Sequence, residues 1–135
     1  MLTIRRCDIG TRSITCVLDE QGNKIIEMYK QFDGYPEGLG KELQSFIASG
    51  TMVNGIGSDT NVFNGIECFA AQLVAHFKDG PGGIYLHAPT TKYSNKQKYD
   101  ETYSAEYYYE IDSNLVIKCW DTDYNVEVDL NEIQS

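Results

Sequence analysis

Apolar and polar residues alternate early in the chain, and the period then lengthens. Ile14, Cys16 and Leu18 share one face of a strand over Ser13–Leu18, and Ile26, Met28 and Phe32 keep the same two-residue period over residues 24–32. Asp19-Glu20-Gln21-Gly22-Asn23 lies between them and supplies turn chemistry, so the pair predicts a β-hairpin. Leu39, Leu43, Phe46 and Ile47 then recur at helical spacing, with Gly50 as a stop. Val62, Ile66, Phe69, Ala70, Leu73 and Phe77 form a second stripe, predicting a helix over residues 61–78 that ends at Gly80-Pro81-Gly82-Gly83. Ile84 to His87 reads as a short strand.

The last third returns to a period of two. Tyr103, Ala105, Tyr107, Tyr109 and Ile111 alternate with Ser104, Glu106, Glu110 and Asp112. A turn at Ser113-Asn114 leads to a strand over residues 115–120. In the final strand Tyr124, Val126, Val128 and Leu130 alternate with Asn125, Glu127 and Asp129. The expected fold is α+β: an N-terminal hairpin, two amphipathic helices, a short strand and a three-stranded antiparallel meander, in one sheet packed on the helices. One sheet face should meet the helices and the other should be solvated and acidic. No repeat, low-complexity tract or linker divides the chain, so residues 1–135 read as a single domain.

Charge sharpens this picture. Residues 1–99 hold ten acidic and ten basic side chains, whereas residues 100–135 hold ten acidic ones and a single cation, Lys118. The net charge of −9 thus belongs entirely to the last quarter. Such a surface repels duplex nucleic acid, whose binding relies on cations replacing counterions. No apolar run is long enough for a membrane span, and none follows Arg5 and Arg6 as a secretory signal requires. The expected location is the cytoplasm. Cys7, Cys16, Cys68 and Cys119 are not closely paired, so reduced thiols are expected rather than disulfides or a zinc site. No cofactor is called for.

Two regions are candidate sites. Residues 33–40 hold three glycines and a proline just before a helix, where open backbone N–H groups can cradle a phosphate or carboxylate. Asp33, Gly34, Tyr35 and Gly38, with Arg12, Tyr29 and Lys30 from the hairpin, would form this ligand site. The phosphate-loop ending of Lys followed by Ser or Thr is absent, and the alternative is a tight strand-to-helix turn. The second region is the Tyr-rich acidic sheet. Glu106, Tyr108, Glu110, Asp112, Glu127 and Asp129, with Asp121 and Asp123, would share an exposed surface for a protein partner. Residues 54–60 are glycine-rich but lack a dinucleotide fingerprint, so Ser58, Asp59 or Thr60 is expected to cap the second helix. Residues 89–100, with Lys92, Lys96 and Lys98, read as a surface loop. Of the two histidines, His76 reads as a helix-end group, and His87 is the better candidate for acid–base work.

The strings Gly10-Thr11-Arg12-Ser13, Tyr29-Lys30-Gln31-Phe32-Asp33-Gly34-Tyr35-Pro36-Glu37-Gly38-Leu39-Gly40 and Ala71-Gln72-Leu73-Val74-Ala75-His76-Phe77-Lys78-Asp79-Gly80-Pro81-Gly82-Gly83 are distinctive. Through them the chain resembles a recurring family of small phage, prophage and bacterial proteins, over most of residues 10–88. The resemblance implies a phage-type accessory role without naming an activity. Three functions follow in order of expectation. The first is inhibition of a host defence component whose basic groove accepts the acidic sheet. The second is binding of a phosphorylated small molecule or nucleotide signal at the glycine-rich loops. The third is hydrolysis or transfer on a phosphorylated substrate, with His87 or Asp33 as base. Self-association is left open.

Overall fold

A computed structural model describes residues 10–53, 62–88, 105–122 and 126–133. Cys7, the loops at residues 54–60 and 89–100, and Tyr103, Asp123 and Tyr124 lie outside the described residues. The described residues form an α+β fold with two helices and a mostly antiparallel sheet. Strands β1 (Ser13–Leu18) and β2 (Lys24–Lys30) are followed by a wide helical turn at Pro36–Gly40 and helix α1 (Lys41–Ala48). Short strands β3 (Thr51–Val53) and β4 (Val62–Asn64) precede helix α2 (Ile66–Phe77). Strands β5 (Ile84–His87), β6 (Tyr107–Ile111), β7 (Ile117–Asp121) and β8 (Val126–Val128) and a 3₁₀ turn at Leu130–Glu132 complete the described fold.

The main sheet has the order β5-β2-β1-β6-β7-β8. All its neighbouring pairs are antiparallel except β1 and β6, which run parallel. A parallel pair needs a long crossover, and here the crossover contains both helices. Strand β1 is therefore central, and all six of its residues are buried. On the helix side Val17, Met28, Tyr109, Ile111 and Cys119 pack against Leu39, Leu43, Phe69 and Leu73. On the outer side Ile14, Cys16, Leu18, Ala105 and Tyr108 form a second cluster with Tyr29 and Trp120.

Several sequence expectations are corrected. The hairpin register sets Ile14 opposite Tyr29 and Thr15 opposite Met28, so the Ile14 and Met28 stripes lie on opposite faces. Both faces are covered, which a simple alternation does not anticipate. The second helix starts at Ile66, not near residue 61. Val62 belongs to β4, which pairs in parallel with β3. Gly65, at φ +90°, occupies the N-cap with no side-chain cap; Ser58, Asp59 and Thr60, expected there, lie outside the described residues. The Gly65 N–H donates to the Val53 carbonyl (3.0 Å), which holds the turn against β3.

Two positions test this packing. A Cβ on Gly34 would lie 2.6 Å from Ser13 Cβ and Oγ, and the Gly34 carbonyl accepts from the buried Tyr109 hydroxyl (2.7 Å). Gly34→Ala is therefore expected to cost about 1–3 kcal/mol in urea denaturation, through overpacking. The buried Thr15 hydroxyl, opposite Met28 and Tyr109, finds no hydrogen-bond partner among the described residues. Thr15→Val removes that orphaned group and is expected to raise stability by up to about 1 kcal/mol; a loss would contradict the assignment.

Candidate functional site

The strand registers arrange the outer face of the sheet in rows. One row crosses Tyr85, Tyr29, Ile14, Tyr108, Trp120 and Glu127, from β5 to β8. Rings meet along it: Tyr29 and Tyr85 at 6.2 Å between centroids, Tyr108 and Trp120 stacked at 5.4 Å. The next row crosses His87, Glu27, Cys16, Glu110 and Lys118. Aromatic and charged rows thus lie side by side, as strand alternation requires of residues two apart.

Charge in the second row is held internally. The fully buried Glu27 carboxylate lies 3.8 Å from Lys24 Nζ through Oε1 and 3.7 Å from His87 Nδ1 through Oε2. The His87 ring stacks on Tyr29 at 5.4 Å. The Tyr108 hydroxyl donates to Glu110 Oε2 (2.7 Å). At the end of the face, Glu106 receives the backbone N–H of Arg12 (2.8 Å) and its guanidinium (3.0 Å). That hydrogen bond raises the Arg12 pKa above its ordinary value. Burial lowers Lys24, and burial pushes the Tyr29, Tyr108 and Tyr109 phenols up. Burial also lifts the Cys16 thiol well above its ordinary range and Cys119 to about 12. Only a thiolate is nucleophilic, so neither buried cysteine is equipped for attack. Among the described residues, no group of His, Cys, Asp and Glu could hold a metal ion. No described helix is long and apolar enough to cross a membrane.

The residues expected to form a ligand site are divided. Arg12 and Tyr29 lie on the outer face, whereas strand alternation turns Lys30 to the other side. Asp33, Gly34, Tyr35 and Gly38 belong to the turn entering α1. Its backbone donors are directed inward: Gly34 N–H to the Thr11 carbonyl (2.9 Å), Gly38 N–H to the Tyr35 carbonyl (3.0 Å). Asp33 adopts φ +59°. At Gly34 and Gly38 the donors expected to face a ligand are engaged within a turn packed on β1, where Gly34 lets the two backbones approach closely.

The acidic set is also sorted by position. Glu106 and Tyr108 are buried, so they do not belong to an exposed surface. The parallel pairing with β1, which the sequence leaves unassigned, sets Tyr108 between Ile14 and Trp120 and brings Glu106 to Arg12. Asp112 accepts from the N–H groups of Asn114 (2.9 Å) and Val116 (3.0 Å), closing the β6–β7 turn. Glu110 is half-buried, and Glu127 and Asp129 are exposed. Beside them lies a feature the sequence pattern passes over. Val116 and Val126 are 50% and 51% exposed, and a groove of about 550 Å³ runs along Val116, Ile117, Val128 and Leu130, with Lys118, Glu127 and Asp129 also lining it. The only signal for it was an extra apolar residue, Val116, adjoining a turn. No family model, curated protein or solved structure matches the chain.

The raised thiols and phenols predict alkaline sensitivity. For Cys119, whose pKa stands at about 12 against an ordinary 9.0, the folded state keeps a proton that the unfolded chain releases earlier. Its contribution is fully present below pH 9.0, declines as pH rises and is lost through about 12. Cys16, Tyr108 and Tyr109 act in the same sense, while the lowered Lys24 acts against them. Urea midpoints measured from neutral pH to about pH 11 should fall above about pH 9; a flat profile would contradict the buried, protonated assignment.

Proposed function

We propose that the chain acts by binding a protein partner with a cationic surface, through the end of the sheet formed by β7 and β8. In the setting that the phage-type resemblance implies, the partner is a host defence component with a basic groove, met in the cytoplasm. The observation carrying this reading is the exposure of Glu127, Asp129 and Glu132 at this end of the sheet, with exposed apolar side chains at Val126 on β8 and at Val116 just before β7. Exposed apolar side chains supply area to bury, and surrounding carboxylates select and steer a cationic partner. Lys118 also lines this groove, but Glu127, Asp129 and Glu132 outnumber it, so the surface keeps a net negative charge. The glycine-rich turn supports the ligand reading less well, since its donors at Gly34 and Gly38 are engaged within the fold.

The test uses a purified nucleic-acid-binding protein with a basic groove. Combining Glu127→Lys, Glu132→Lys and Asp129→Asn should weaken binding about tenfold or more at low salt. The asparagine keeps an acceptor for the Asn131 N–H, so the 3₁₀ turn is retained. An equal charge change at the exposed Glu37, Glu42 and Glu67 should leave affinity within about twofold. Equal losses from both sets would reduce the effect to net charge and overturn the assignment of this surface.

A further inference from the structure

We propose that Lys78 closes the free edge of the sheet at β5, and that without it two copies of this chain pair there, antiparallel, about Tyr85. The surface argued above for a protein partner lies at the opposite end of the sheet, so the two readings stand or fall separately.

Strand β5 pairs with β2 alone, and its other side is the end of the sheet. Such an edge presents backbone N–H and C=O groups to any strand that approaches it. Its side chains offer apolar area as well: Tyr85 is 48% and Leu86 56% exposed, one on each face. Which backbone groups point outward follows from one bond. The Gln31 N–H donates to the Gly83 carbonyl (2.8 Å), so the amide groups of Gly83 face the β2 side. Alternation then turns those of Ile84 and Leu86 outward, and those of Tyr85 and His87 toward Tyr29 and Glu27.

Both outward groups of Ile84 are already engaged. Its N–H donates back to the Gly82 carbonyl (2.8 Å), a γ-turn that Gly83 permits at φ +77°. Its carbonyl accepts from Lys78 Nζ (2.8 Å), which also donates to the Gly82 carbonyl (2.9 Å) and lies 5.6 Å from the centroid of the Tyr85 ring. The string Lys78-Asp79-Gly80-Pro81-Gly82-Gly83 thus does more than end α2. It folds the chain back so that the lysine reaches the first residue of the edge strand. Among the described residues of β5, Leu86 alone keeps an open outward pair, and one residue is too short an edge to hold a strand.

Loss of the lysine lengthens that edge in a way that suits a second copy. When Tyr85 faces Tyr85 of the second copy across a two-fold axis, each Leu86 N–H lies opposite the other copy's Ile84 carbonyl. The two bonds of this symmetric contact both require the carbonyl that Lys78 occupies. The Tyr85 rings meet on one face, and each Leu86 meets Ile84 of the other copy on the opposite face. With Lys78 in place, two ammonium groups would be brought together near the axis and stripped of water, which adds a charge penalty to the lost bonds.

Light scattering over a concentration series tests this on the full chain and two variants. Lys78→Met keeps the stem without the donors, and the backbone N–H at this position still closes α2 on the Val74 carbonyl. Its mass should rise above the parent's toward about twofold. Lys78→Arg, whose guanidinium can still donate to both carbonyls, should match the parent. Adding Leu86→Lys to Lys78→Met should return the mass to the parent's, because a charge again stands on the edge. A folded Lys78→Met chain with the parent's mass at every concentration overturns the proposal, and so does association that survives Leu86→Lys. Amide exchange on the dilute parent tests the edge without any variant: Tyr85 and His87 should be protected by β2 and Leu86 should exchange freely. A protected Leu86 amide would mean that the edge is closed by something other than Lys78, and the proposal would fail.

Discussion

The parallel contact between β1 and β6 is the constraint on which the remaining structure depends. It joins the first strand to the last third of the chain, and it makes β1 interior on both edges as well as both faces. The Arg12–Glu106 ion pair exists only because of it, since the two residues are 94 positions apart in sequence. The same contact lines up the aromatic and charged rows, which run unbroken from β5 toward β8. Helices α1 and α2 then have one place to go, across the face opposite those rows.

Register is guarded by the charged row. A one-residue slip of β2 or β6 would move Glu27 or Glu110 from the outer face into the apolar core around Leu43, Phe69 and Leu73. A carboxylate placed there without its partners costs several kcal/mol, so alternative pairings are strongly disfavoured. The buried Glu27, near Lys24 and His87, contributes less through net attraction than through what its displacement would cost.

Local patterns made the elements legible, and long-range pairing decided what those patterns could not. The helical stripes at Leu39–Leu43–Phe46 and Ile66–Phe69–Leu73 lie in α1 and α2 or the turn entering them, because a one-sided helix writes its period directly into the chain. Tyr108 shows the opposite case. Its neighbours Glu106 and Glu110 made the even positions look solvated, yet it is fully buried, set between Ile14 and Trp120 on the outer face. Of the candidate site residues, Glu127 and Asp129 could be placed at the surface from alternation alone. The groove beside them could not, since it arises where β8 departs from β7 under the hold of Lys41 and Gln44, two residues from the far side of the fold. The turn at residues 33–40 was legible as irregular, but its inward hydrogen bonding depends on contact with Thr11 and Ser13.

The crossover also has a consequence for how the chain is made. The β1–β2 hairpin is complete by residue 30, but the second edge of β1 has no partner until residues 107–111 have been synthesised. At about 5–20 residues per second, that interval lasts roughly 4–16 s. During this time a strand with apolar groups on both faces stands at an open edge beside the ribosome, the state most exposed to pairing with another nascent chain. The protein's hazard is thus concentrated in its birth: a holdase that shields residues 13–18 until the last third emerges would protect the yield of folded molecules without altering the finished structure.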